Sequence, residues 1–248
     1  MRNKYTIMEE LKMIDVGKRR VRTKIRDNVI PVIWSKLLTK HDIEPIPFHV
    51  VDSAIEWYAL YTNEFVPTDK RAVTTYDLID AEMMTVGLLI VNSATNCIKC
   101  ISVSAVMSVV SLMEVCSSYE FDIVKITEHL ILSMSHEIGH IMDFKSFIGK
   151  PITVWNKYCD VSDAEVNALP TLRKNASCKT VFEWHLKYHH TTWEHNADMN
   201  VGLTDEEYAI DFAKANPGLS RKKLGIDKYV TEERFQELMN ITSPPHYI

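Results

Sequence analysis

His136-Glu137-Ile138-Gly139-His140 is the stretch on which the reading of this chain turns. On a helix, side chains four residues apart share a face. His136 and His140 can therefore point two imidazoles at one metal ion, with Glu137 beside them in reach of a metal-bound water. Two nitrogen ligands, one general base and an open coordination position are what a hydrolytic zinc site needs. Leu130, Ile131 and Met134 precede the stretch and Ile138, Ile141 and Met142 continue it, an apolar stripe at helical spacing. The pattern predicts a helix from near Asp122, capped by Asp122 or Ser118, to about Phe144, with Gly149-Lys150-Pro151 ending the element. The plain alternative is an ordinary helix carrying two ordinary histidines.

A catalytic zinc site takes three protein ligands and a water. The metzincin spacing would put glycine and histidine seven and ten residues after His136, but Asp143 and Ser146 stand there, so the third ligand lies further along. The leading candidate is Glu194, in Trp193-Glu194-His195-Asn196-Ala197-Asp198. Glu194 and Asp198 are one helical turn apart, so the glutamate can ligate while the aspartate accepts a hydrogen bond from the distal nitrogen of a ligating histidine. Ala197 would let this helix come close to the first. Glu165 and His195 compete for the role. Glu194 also lies three residues after Thr191, the spacing of a capping box, and the Glu-x-x-x-Asp pattern recurs at Glu207 and Asp211.

The pair of motifs, His136-Glu137-Ile138-Gly139-His140 and Glu194-x-x-Ala197-Asp198, resembles the gluzincin metallopeptidases, thermolysin-like and HtpX-like, over roughly residues 128–203. The resemblance implies His136, His140 and Glu194 as zinc ligands, Glu137 as general base and Asp198 as the partner of a ligating histidine. HtpX-like enzymes usually carry transmembrane helices, and this chain shows none. A second resemblance is to the ImmA/IrrE family, through the segment Asp163-Ala164-Glu165-Val166-Asn167-Ala168, and it implies Glu165 as the ligand. Histidines 185, 189, 190 and 195 cluster near the second motif. His189, His190 or Tyr188 could stabilise an oxyanion. His185 and His189, four apart, could hold a second metal. A wet, histidine-rich helix surface is the bland reading.

Composition is that of a soluble globular protein: 248 residues, 46% hydrophobic, 25% charged, net charge −5. The charge is uneven, +7 over residues 1–40 and −12 over the remainder. Lys18-Arg19-Arg20-Val21-Arg22-Thr23-Lys24-Ile25-Arg26 reads as a solvated strand with Val21, Thr23 and Ile25 inward, and without interleaved aromatics it makes a poor nucleic-acid binder. Five cysteines, among them a lone Cys97-x-x-Cys100, form no disulfide framework and suggest a reducing, cytoplasmic setting. The most apolar stretch, Ile101 to Met113, is too short to span a bilayer.

Elsewhere the pattern predicts a helix over 5–14, a helix from Val32 to Leu38, an extended Phe48 to Val51 and an aromatic helix over 53–66. Strands follow at Met84 to Val91 and Cys97 to Ser104, then a helix from Ala105 to Cys116. Residues 152–162 read as an irregular connection and 171–180 as a loop. Helices are expected from Val181 to His190, from Thr191 or Thr192 to Asn200 with Gly202 as stop, from the capping box Thr204-Asp205-Glu206-Glu207 to Ala215, and after Thr231, before an extended tail at 243–248.

The expected fold is α+β and mostly helical, zincin-like, with a small sheet beside the metal helix. The organisation expected is an N-terminal segment 1–80 packed on the core, a catalytic region 81–216 and a C-terminal helix and tail 217–248. The expected function is zinc-dependent peptide-bond hydrolysis, with a peptide or protein as substrate and no membrane insertion. The alternatives are an ImmA/IrrE-like regulatory protein acting on one partner, and a binding module without catalysis.

Overall fold

A computed structural model describes residues 17–51 and 83–239. The helix expected over 5–14, the aromatic segment 53–66 and the tail 243–248 lie outside the described residues. The protein is α+β and mostly helical.

Residues 17–40 form one helix, α1, where the sequence suggested a strand for the basic run. Burial explains the difference: Ile25, Ile30, Ile33, Trp34, Leu37 and Leu38 are buried at helical spacing, whereas Thr23 is exposed. The alternation of Val21, Thr23 and Ile25 was incidental. A π-helical turn, Ile25–Val29, interrupts α1, with the Ile30 N–H reaching back to the Ile25 carbonyl. Pro31 has no N–H to offer Asp27, and its ring crowds the Asp27 carbonyl; widening the turn relieves both problems.

Three strands follow: β1 (Phe48–Val51), β2 (Met83–Asn92) and β3 (Cys97–Ser108). β3 is central, antiparallel to β2 and parallel to β1. It runs four residues further than expected, because Ala105, Val106 and Met107 are buried and pair with both neighbours. The helix predicted from Ala105 starts instead as α2 (Val109–Ser118), where the Ser108 side chain accepts the Ser111 N–H.

The long helix α3 (Ile123–Ser146) carries the HExxH stretch. Asp122 caps it, accepting the N–H groups of Val124 at 2.9 Å and Lys125 at 3.4 Å. Ile126, Leu130, Met134, Ile138 and Ile141 are fully buried and sit in the main core with α1 and the sheet.

Next comes α4 (Ile152–Asn167), in place of the expected irregular connection. Its buried face is thin: Ser162 is its one buried residue, while Val154, Val161 and Val166 are exposed. Such a helix leaves a faint apolar period in its sequence. Then follow α5 (Cys178–His189), α6 (Thr192–Val201), α7 (Asp205–Ala215), a short α8 (Arg221–Leu224) that the sequence reading missed, and α9 (Glu232–Met239). Gly202 ends α6 at φ +76° and the Thr204–Glu207 capping box opens α7, both as read. Phe182 and Leu186 of α5 form a second core with Ala209, Ala213, Leu224, Ile226, Val230 and Phe235. No helix among the described residues is long and apolar enough to cross a membrane.

Candidate metal centre

Helices α3 and α6 meet so closely that there is no room for a side chain between them. A Cβ on Gly139 would stand 2.0 Å from the Ala197 carbonyl oxygen. Asn200 spans the same crossing, its Nδ2 donating to the Gly139 carbonyl at 3.1 Å. At this crossing the chain brings together His136, His140 and Glu194. His136 Nε2 lies 2.7 Å from Glu194 Oε2 and 3.0 Å from His140 Nε2, and His140 Nε2 lies 3.5 Å from Glu194 Oε2. All three residues are buried and could hold one metal ion.

Asp198, one turn after Glu194, lies beside His136. Its Oδ1 is 2.7 Å from His136 Nδ1. With Nδ1–H donating to Asp198, the Nε2 lone pair of His136 faces His140 and Glu194. A second donor group, His136, His189 and Asp198, shares His136 through its other nitrogen. In that tautomer the His136 lone pair is offered to the first group and not to the second.

Glu137, next to His136 on α3, meets the sheet. Its Oε2 accepts the Thr85 hydroxyl of β2 at 2.5 Å. On the far side, the Tyr188 hydroxyl donates to Glu194 Oε1 at 2.9 Å. A cleft of about 250 Å³ opens there, lined by Ser162, Asp163, Val166, Asn167, Tyr188, Trp193 and Glu194.

The N-terminus of α6 is held from α4. Glu165 accepts the Thr192 N–H at 2.5 Å and the Thr192 hydroxyl at 3.0 Å, and Ser162 Oγ accepts the Trp193 N–H at 3.2 Å. Glu165 thus serves as a helix cap and stays out of the donor cluster. Thr191 makes no side-chain cap, its hydroxyl donating instead to the Tyr188 carbonyl at 2.8 Å, so Glu194 is not part of a capping box. His195 and His190 are exposed, and His190 pairs with Asp205 at 2.9 Å. His189 lies behind His136, edge-on at 5.1 Å between ring centroids, with Nδ1 3.3 Å from Asp198 Oδ2. His185 is exposed and belongs to neither donor group.

Several residues around the site had no sequence signal. The Tyr208 hydroxyl donates to Asp198 Oδ1 at 2.5 Å, and its ring packs on His189 at 3.9 Å. One turn on, Asp211 accepts the Tyr119 hydroxyl at 2.7 Å and meets His129 Nδ1 at 2.8 Å, which pins α7 along α3. The second Glu-x-x-x-Asp pattern is thereby accounted for, since Glu207 is the capping-box residue of α7. His140 is walled by Phe144 at 6.1 Å and Trp193 at 6.0 Å.

Burial opposes charge on His136, Glu194 and Asp198, and hydrogen bonding overrides it. For His136, the bonds to Asp198 and Glu194 outweigh burial and raise its pKa to about 10. Asp198 is lowered to about 2 and Glu194 falls well below the ordinary carboxylate range, in each case because bonds to histidine outweigh burial. The Tyr188 and Tyr208 hydroxyls are pushed far up, first by burial and then by the Glu194 and Asp198 charges, so both remain donors.

These shifts predict how the metal-free protein responds to pH. A histidine whose folded pKa is raised from 6.5 contributes fully below 6.5 and loses its contribution as pH climbs toward 10. Carboxylates lowered from 3.8 and 4.5 contribute above those values and lose the contribution as pH falls toward 2. Metal-free protein should therefore be most stable between about pH 5 and 6.5, with urea midpoints falling on both sides. A midpoint still rising from pH 7 to 9 would contradict the paired arrangement.

Compared with protein-family models, with curated proteins and with solved structures, the chain matches none of them.

Proposed function

We propose that the protein is a zinc-dependent metallopeptidase of the gluzincin type, with a zincin-like arrangement of metal helix and adjoining sheet edge. The observation that carries this reading is the convergence of His136 Nε2, His140 Nε2 and Glu194 Oε2, with Asp198 on the other nitrogen of His136. Two imidazoles and one carboxylate form the donor set of a hydrolytic zinc site. Zinc–ligand bonds of about 2.0–2.1 Å in a tetrahedron put ligand atoms roughly 3.3 Å apart. The three separations here, 2.7, 3.0 and 3.5 Å, bracket that value.

Held there, zinc would acidify a bound water and polarise the carbonyl to be attacked. Glu137 would be the base for that water and would return the proton to the leaving amine. Asp198 keeps His136 in one tautomer, and Tyr208 steadies Asp198. Tyr188 gives its one hydroxyl proton to Glu194 and borders the cleft, so it could serve an oxyanion only by releasing Glu194; His189 lies behind His136 and His190 is exposed. A peptide or protein segment is the substrate class that suits this chemistry. A regulatory peptidase acting on a single partner would use the same residues, but Glu165, the ligand that the ImmA/IrrE likeness favoured, is committed to α6.

Metal content of the purified protein tests the proposal. Wild type should hold one zinc per chain by elemental mass spectrometry, Glu194→Ala should lose it, and Glu165→Ala should keep it. A wild type that takes up no zinc even on reconstitution would leave a binding module without catalysis as the surviving reading.

A further inference from the structure

We infer that Thr85 is a positioning residue for Glu137, fixing one oxygen of the general base so that the other is presented to the metal-bound water. The inference rests on the metallopeptidase reading and adds a residue that the two sequence motifs do not contain.

Thr85 lies on β2, an edge strand among the described strands, and pairs with Ala105 of the central strand β3. Side chains alternate along a strand, so Thr85 shares a face with Met83, which is buried. That face meets α3 at Glu137. The Thr85 hydroxyl has one proton and two nearby acceptors on the same residue, Glu137 Oε2 at 2.5 Å and the Glu137 carbonyl at 3.3 Å. The shorter contact, to a charged acceptor, takes the proton, and 2.5 Å is the length expected of a hydroxyl bonded to a carboxylate.

Glu137 is itself buried, so rotation of its carboxylate is not buffered by water. With Oε2 tied to the strand, Oε1 remains for the proton of the water. The bond holds the carboxylate from the β2 side, while His136 Nε2 and His140 Nε2 gather with Glu194 of α6. Removing the hydroxyl leaves the charge in place but frees the carboxylate to turn. The loss should fall on steps in which Glu137 accepts a proton, and metal binding should be spared.

A zinc-directed hydroxamic acid isolates that step without knowledge of the substrate, because it binds as an anion and must hand its proton to a neighbouring base. Acetohydroxamic acid would be titrated calorimetrically into the zinc-loaded full chain, as wild type, Thr85→Val, Thr85→Ser and Glu137→Gln. Thr85→Val should keep full zinc and bind the probe roughly tenfold more weakly, the effect of one lost charge-assisted hydrogen bond. Thr85→Ser should restore binding to near wild type, and Glu137→Gln should be at least as weak as Thr85→Val. With any peptide that the protein cleaves, Thr85→Val should lower kcat and leave KM nearly unchanged. Equal probe binding by Thr85→Val and wild type would overturn the inference while the metallopeptidase reading stands. Loss of zinc from Thr85→Val, or failure of serine to rescue, would show that Thr85 holds the strand and not the base. A zinc-loaded wild type that ignores the probe would defeat the metallopeptidase reading, and this inference with it.

Discussion

Replacing Gly139 with alanine should destabilise the protein by about 3 kcal/mol, the upper end of overpacking costs, and should strip it of metal. The new methyl would stand 2.0 Å from the Ala197 carbonyl oxygen, 2.6 Å from its carbonyl carbon and 2.9 Å from its Cα. Even close C–H···O contacts lie near 3.3 Å, so the helices must part by roughly 1 Å. Every atom in the way is main chain, so no rotamer relieves the clash and no substitution at Ala197 rescues it. The donors sit on opposite sides of this crossing, His136 and His140 on α3 and Glu194 on α6. Separation therefore opens the three-donor cluster itself. Urea denaturation and elemental analysis read the two effects together. A Gly139→Ala protein with an unchanged midpoint and full metal would mean that the helices do not cross as described.

On the proposed metallopeptidase reading, Glu137→Gln should cost about 10³-fold in kcat, within the usual span of general acid–base contributions, while zinc content and melting temperature stay close to wild type. The amide keeps the shape of the carboxylate and can still accept the Thr85 hydroxyl, but it cannot take a proton. Glu137 is not among the three donors, so the metal has no reason to leave. Rate measurement on a cleaved peptide, with zinc determined on the same sample, checks both halves. Activity within tenfold of wild type would assign the proton transfer to another group.

The helix that bears the cluster was legible because several local signals agreed. The apolar stripe, the Asp122 cap and the four-residue histidine spacing all depend on neighbours within a turn or two. The fold class followed from the two strands and the run of helices after them. Glu194 and Asp198 were legible only as a pair of short patterns, and the distances between α3 and α6 are what set them apart from Glu165 and from the Glu207–Asp211 copy. Where the reading failed, local signals were ambiguous or weak. Val21, Thr23 and Ile25 alternate by accident on a helix whose buried face runs from Ile25 to Leu38. Helix α4 turns so much of itself to water that its period is faint. Thr85 meets its partner 52 residues away, and Tyr208 meets His136 from 72 residues away, so no window of sequence holds either pair.

The grip of Glu165 and Ser162 on the first turn of α6 ties a thinly buried helix to a member of the donor cluster. Local opening costs less than global unfolding wherever few apolar contacts must be broken. Opening of α4 would leave the Thr192 and Trp193 N–H groups without their acceptors and loosen the turn that carries Glu194. Any ion held by Glu194 favours the closed form by mass action. Metal capture and the ordering of a water-facing helix would in this way be two readings of one equilibrium, with affinity for an ion set partly by residues that never touch it.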